Sequence, residues 1–189
     1  DHLPPKSCFP KPRPSDLISV DACKECNGGR SVLDNKFSLF LSLLIHGESP
    51  EGIKLWSERA KRLHENRKFQ EEVNAGLFEI NGEQRHKLNF NQFSDIYESI
   101  FRGLYYDIFN EVYPLNQKFE LFFREKLGPE EYKFLTYLDK GIVGREQFVY
   151  GLSRTEENAV GGIIGFYGRF YVVGLALLPN HLRNSNNQI

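Results

Sequence analysis

Residues 161–177 read GGIIGFYGRFYVVGLAL. β-Branched and aromatic residues dominate this run, and Gly168-Arg169 separates its two apolar halves, which predicts two antiparallel strands joined by a tight turn. The stretch at 146–153, EQFVYGLS, has a similar composition and predicts a third strand. The C-terminal part of the chain is therefore expected to be an antiparallel β-rich region. Gly161-Gly162 is not expected to bind phosphate, because no strand-loop-helix pattern surrounds it.

The middle of the chain has helical periodicity. Apolar residues recur three and four positions apart between Phe93 and Ile108, and this face predicts a core helix over about 91–109. A capping-box pattern at 31–34 predicts the start of another helix. The run Ser49-Pro50-Glu51 predicts a further helix that ends near residue 74. Asn81-Gly82 predicts a small hairpin, and GPEEYKFLTYL, downstream of the core helix, predicts a short helix.

These patterns together predict an α+β fold with a Cys- and Pro-rich N-terminal module, a helical middle and the β-rich end. The chain has 189 residues, 40% of them hydrophobic, which is a globular composition. The expected domains are 1–48 and 49–189, the second of unknown role. The net charge of −1 means that attraction to nucleic acid must come from a local surface. No apolar run approaches the roughly 20 residues of a membrane span, so we expect a cytoplasmic protein.

The N-terminal stretch DHLPPKSCFPKPRPSDLISVDACKECNGG holds the candidate chemistry. Leu17, Ile18 and Val20 favour a short strand over 16–20. The spacing of Cys23 and Cys26 favours a structural metal pair over a redox pair, because no thioredoxin-like βαβ pattern surrounds them. The Asp1 carboxylate, the His2 imidazole and the Asn27 amide are suited to bind one divalent ion and activate a water. Their distance in sequence leaves open whether they converge.

DHLPP, PSDLISV and DACKECN, in this order, resemble the core motif of the HNH endonuclease family. That motif is Asp-His followed by Pro, then an Asn-Leu strand, then a Cys-x-x-Cys with His or Asn next. The resemblance covers about residues 1–35 and implies a ββα-metal finger, in which two strands and a helix hold one divalent ion. It implies that His2 is the general base, that Asp1 and Asn27 bind Mg²⁺ or Mn²⁺, and that Cys23 and Cys26 are half of a structural Zn²⁺ site. It also implies that DNA is the partner.

The chain departs from the family pattern at two points. Asp16 stands where the family has an Asn that orients the catalytic site, and a carboxylate accepts hydrogen bonds but does not donate them as an amide does. We expect Asp16 to hold the His2 ring through its N–H. The Cys-x-x-Cys that should precede Asp1 is absent, and Cys8 has the wrong spacing to replace it. The resemblance therefore implies an upstream segment with the missing pair.

The sequence thus predicts a metal-dependent HNH-type endonuclease that hydrolyses DNA phosphodiester bonds. Two alternatives stay open. The first is a catalytically inactive zinc module that binds nucleic acid or another partner, which Asp16 favours; the second is a protein-binding adaptor built on the aromatic C-terminal region. The basic stretch within 50–74 is either a solvated helix face or a surface for phosphate. The sequence makes no prediction of oligomeric state.

Overall fold

The computed structural model describes residues 1–21, 30–45, 47, 49–65, 67–86, 89–156 and 158–178. The fold is α+β, as expected. In chain order its elements are β1 (His2–Leu3), β2 (Ile18–Ser19), α1 (Ser31–Leu44), α2 (Pro50–Glu65), α3 (Arg67–Ala75), β3 (Leu77–Ile80), β4 (Glu83–His86), α4 (Ser94–Phe109), β5 (Glu120–Arg124), α5 (Pro129–Leu135), β6 (Asp139–Val143), β7 (Phe148–Arg154), β8 (Ala159–Phe166) and β9 (Phe170–Leu177). Short 3-10 turns lie at Lys6–Cys8 and Phe90–Phe93.

The chain forms two compact units that alternate along the sequence. The sheet unit consists of Asp1–Pro4, Pro14–Asp21 and Asp95–Ile189. The helical unit consists of Pro5–Arg13 and Ala22–Ser94. The predicted boundary at residue 48 stays a prediction.

A five-stranded antiparallel sheet, in the order β5-β9-β8-β7-β6, dominates the sheet unit. The three strands predicted at the C-terminal end are confirmed as β7, β8 and β9. The β8–β9 turn is tight, because Phe166 pairs with Phe170 and both Tyr167 and Gly168 have left-handed backbone angles, with φ of 55° and 66°. The edge strands β5 and β6 were not predicted. Each obtains its ladder from one neighbour, β9 or β7.

Two glycines on the central strands receive an aromatic ring from α4. Gly162 of β8 and Gly174 of β9 are register partners, and Phe101 of α4 is fully buried over them. A Cβ atom added at Gly174 would lie 2.8 Å from the Phe101 ring. The predicted core helix is confirmed as α4, and the glycines of GGIIGFYG and YVVGL make room for its side chain.

The opposite face of the sheet is covered by a second apolar cluster. Ile163 and Tyr171 belong to it. Ile163 directly follows Gly162, and Tyr171 lies three residues before Gly174 on β9, whereas both glycines face Phe101. Side chains alternate between the two faces of a strand, so the glycine face and this cluster lie on opposite sides. The short helix α5, also predicted, contributes to the cluster, whose other members are Leu127, Leu138, Phe134, Leu135, Val149 and Val173.

The helical unit packs around aromatic side chains of α1. The centre of the Phe40 ring lies 4.7 Å from the centre of the Phe93 ring and 5.5 Å from the centre of the Phe90 ring. The predicted capping box at 31–34 is wrong: α1 has Arg30 at its N-cap without a side-chain bond, so Ser31 is already helical. The predicted cap of the next helix is confirmed, because Ser49 Oγ accepts from the backbone N–H of Gly52 at 2.9 Å.

Two further predictions for the helical unit can be compared with the structure. The helix predicted over 50–74 is confirmed in the described residues on both sides of position 66, as α2 over Pro50–Glu65 and α3 over Arg67–Ala75. The hairpin predicted at Asn81-Gly82 is confirmed as β3–β4, and both turn residues have positive φ, 54° and 79°. In the described part of the chain, no helix combines the length and apolar character needed to cross a membrane.

Candidate functional site

The Asp-His pair lies at the start of a two-stranded antiparallel ribbon. His2 pairs with Ser19 and Leu3 pairs with Ile18. Beyond this pair, the amino group of Asp1 donates to the carbonyl oxygen of Val20 at 2.5 Å, and the Val20 N–H donates to the Asp1 carbonyl at 2.9 Å. The short strand predicted over 16–20 is thus confirmed as β2, and its partner is the strand of the Asp-His pair.

The side chains of β1 divide between the core and a more accessible face. Leu3 is 3% exposed, and its Cδ atoms lie against Gly103 of α4. Because neighbouring strand residues point to opposite faces, the imidazole of His2 points away from this contact, and His2 is half-buried. The Asp1 Oδ1 atom accepts from the backbone N–H of His2 at 2.8 Å. Asp1 is the predicted metal ligand that lies within the described residues, and a carboxylate is a ligand that Mg²⁺ accepts.

The exposed residue Asp16 is bound to a turn of the large sheet. Its two carboxylate oxygens accept from the backbone N–H of Gly144 at 3.2 and 3.3 Å. Gly144 begins the β6–β7 turn, in which Gly144, Arg145 and Glu146 all have left-handed angles, with φ of 61°, 52° and 70°. The carboxylate therefore stabilises a strained turn. Its predicted role toward the His2 ring stays a prediction.

Three of the predicted metal ligands, Cys23, Cys26 and Asn27, lie outside the described residues. The order β1, β2, α1 is that of a ββα finger. The strands belong to the sheet unit and α1 to the helical unit, and the finger itself stays a prediction. Within the described ranges, no group of three or more His, Cys, Asp or Glu side chains is placed to hold a metal ion.

A buried arginine, which sequence reasoning did not identify, joins α2 to the N-terminal segment. Arg59 is 7% exposed; its Nε donates to Ser38 Oγ at 2.8 Å and its Nη2 to the Ser7 carbonyl at 2.9 Å. The Ser38 hydroxyl donates to the same carbonyl. The spacing of Arg59 could have indicated its burial, because Gly52, Leu55 and Arg59 lie three and four positions apart on the buried face of α2.

Cys8, beside this cluster, is unsuited to take a metal-binding role. The side chain is fully buried, and burial raises the pKa of its thiol far above the usual range. The charge of Asp34 raises the pKa further, whereas the charge of Arg59 lowers it. Metal ligation requires the thiolate, so Cys8 acts as a small apolar core residue.

A partly buried polar cluster joins the end of α4 to β7. Arg154 Nη1 donates to Glu111 Oε2 at 2.6 Å and to the Tyr105 hydroxyl at 2.8 Å. The Tyr105 hydroxyl donates to Glu111 at 3.0 Å, and the guanidinium lies 5.1 Å from the centre of the Phe109 ring. Burial raises the pKa of Tyr105, which keeps its hydroxyl protonated. These polar contacts join side chains of the protein to one another, which is typical of a structural crosslink.

No protein-family model, curated protein or solved structure matches this chain. The likeness to HNH endonucleases therefore rests on the residues of the first 35 positions.

Proposed function

We propose that this chain is a metal-dependent HNH-type endonuclease that hydrolyses DNA phosphodiester bonds. The observation that supports it is the pairing of β1 with β2. The strand that begins at His2, directly after Asp1, pairs with the strand that precedes the Cys-x-x-Cys-Asn segment in sequence. A ββα-metal finger needs this pairing, because its ligands come from the first strand and from the residues that follow the second.

The proposed roles follow from the chemistry of each side chain. His2 accepts a proton from the attacking water. Asp1 and Asn27 would hold Mg²⁺ or Mn²⁺, which neutralises charge on the phosphate and assists the leaving oxygen. Cys23 and Cys26 would form half of a Zn²⁺ site that gives rigidity to the small module.

Cleavage of supercoiled plasmid in Mg²⁺ or Mn²⁺ tests the proposal. Loss of a general base lowers a hydrolysis rate about 10²- to 10⁴-fold, and we expect this loss in His2→Ala. Replacement of His86, a histidine of β4, by Ala is the matched control and should leave the rate unchanged. A wild-type rate in His2→Ala would refute the catalytic role.

The contact of Asp16 favours a second candidate, an inactive zinc module that binds nucleic acid. Its carboxylate is bound to Gly144, and this contact accounts for an acid at the motif position without any catalytic role. In that case duplex DNA binds equally well to the wild type and to His2→Ala, and neither protein cleaves plasmid in any divalent metal.

A further inference from the structure

Exposed cations lie on two segments of the helical unit. The segment 5–13, PKSCFPKPR, contains Lys6, Lys11 and Arg13 and no acidic residue. The helix α2 adds Lys54 and Lys61, and all five side chains are exposed. We call these five residues the basic surface.

A hydrogen bond places the two segments side by side. The backbone N–H of Lys11 donates to Glu58 Oε1 of α2 at 2.9 Å. Residues three and four apart are neighbours on a helix surface, so Lys54 and Lys61 flank Glu58 one turn before and one turn after it. Lys11 of the segment therefore lies beside Glu58 and the two lysines of α2, and the Glu58 carboxylate already accepts from the main chain.

The segment that holds the first three cations is fixed in place. Arg59 binds the Ser7 carbonyl at 2.9 Å, and the side chains of Cys8 and Phe9 are buried. Arg13 Nε donates to the Lys6 carbonyl at 3.2 Å, which closes the segment into a loop. Proline at positions 10 and 12 further restricts its backbone. Little conformational entropy of the main chain is lost when such a surface binds a partner.

The charge of this surface contrasts with that of the whole chain. The net charge is −1, but Lys and Arg outnumber Asp and Glu in the helical unit, whereas acidic residues are in excess in the sheet unit. Attraction to a polyanion is therefore local to the helical unit. Lys54 and Lys61 are about 10 Å apart along the helix axis.

We propose that the basic surface binds the phosphate backbone of duplex DNA. The choice of DNA rests on the proposed function. An anionic membrane is a poorer partner, because a helix that lies on a membrane buries its apolar face in lipid, and Leu55 of α2 is fully buried in the protein instead. The contact is independent of base sequence, since it reads phosphate alone.

Fluorescence anisotropy with a labelled duplex of arbitrary sequence, without added Mg²⁺ or Mn²⁺ and between about 50 and 200 mM KCl, tests this proposal. The variant K6Q/K11Q/K54Q/K61Q retains Arg13 and the backbone contacts. The matched control K118Q/K126Q/K133Q/K140Q removes four exposed lysines of the sheet unit, with the same change in net charge. We expect the first variant to lose at least about tenfold in affinity and to reduce the salt slope by about 0.9 per contact, while the control changes affinity by less than about threefold.

Each other outcome overturns the proposal. Equal losses in both variants would show a general charge effect, and a wild-type chain that does not bind duplex at low salt has no such surface. Binding to phosphatidylserine vesicles or to a poly-glutamate peptide, but not to duplex, with the same four-lysine dependence would assign the surface to another partner. Because the binding assay omits the divalent ion that cleavage needs, its result is separate from the nuclease test. The proposed surface is retained if His2→Ala cleaves normally, and only the binding result can overturn it.

Discussion

The substitution Gly174→Ala tests the packing of α4 on the sheet. The added methyl group would lie 2.8, 2.9 and 3.1 Å from three atoms of the Phe101 ring. That ring is fully buried and stacks on Phe119 at 5.0 Å between ring centres, so it has little room to move. Overpacking of this kind costs about 1–3 kcal/mol, and we expect Gly174→Ala to lower the free energy of unfolding by that amount.

The same substitution in a Phe101→Leu chain should behave differently. Leucine is smaller than phenylalanine and has no ring, so the added methyl group has more room. Alanine also reduces the conformational entropy of the unfolded chain, which stabilises the fold by about 0.4–1 kcal/mol. In this background we expect Gly174→Ala to be neutral or stabilising. Urea unfolding followed by far-UV circular dichroism gives the four free energies of the double-mutant cycle.

Gly161→Ala provides the control for this cycle. Gly161 faces the other side of the sheet, where an added Cβ would meet the ring of Phe134 at 2.8 Å. Its cost should therefore be the same with Phe or Leu at position 101. If Gly174→Ala also costs the same in both backgrounds, the ring does not occupy the glycine slot and the reasoning is refuted.

Three further predictions concern buried groups. Arg59→Met removes two hydrogen bonds from a charged donor, so it should destabilise the helical unit by about 2–4 kcal/mol, as measured by Trp56 fluorescence in urea. The exposed control Arg67→Met should cost less than about 0.5 kcal/mol, and an equally small cost for Arg59→Met would contradict the role of Arg59. Burial, followed by the charge of Glu98, raises the pKa of Tyr113 to about 12. Stability should therefore fall as pH rises above the usual tyrosine range toward 12, and an alkaline absorbance titration of Tyr113→Phe should lack this late phenol. Iodoacetamide should modify Cys8 slowly in the native protein and rapidly in urea, as followed by peptide mass spectrometry; rapid native labelling would show an open thiol.

Local pattern predicted much of the fold. The β-branched and aromatic runs gave β7–β9, and the 3.6-residue periodicity gave α4, because both depend on neighbours in sequence. The edge strands β5 and β6 were not predicted, because ELFFR and DKGIV do not alternate apolar and polar residues. Their strand structure comes from hydrogen-bonded pairing with β9 and β7.

The candidate site was predictable to the extent that it depends on β1. The resemblance implied a first strand of a finger at the Asp-His pair, and β1 begins at His2, directly after Asp1. The contact between Asp16 and Gly144 joins residues 128 positions apart, and no local pattern indicates it. The role of Arg59 was not predicted for a related reason, because its partners Ser7 and Ser38 are distant in sequence and come close to it only in the folded helical unit.

The most direct test of the proposed function is single-turnover cleavage of supercoiled plasmid by the wild type, His2→Ala and His86→Ala in Mn²⁺ after EDTA treatment. Our proposal predicts that the wild type and His86→Ala nick the plasmid at the same rate, that EDTA abolishes nicking, and that His2→Ala is slower by about 10²-fold or more. A nicking rate in His2→Ala equal to that of the wild type, or no nicking by any of the three proteins, would contradict it.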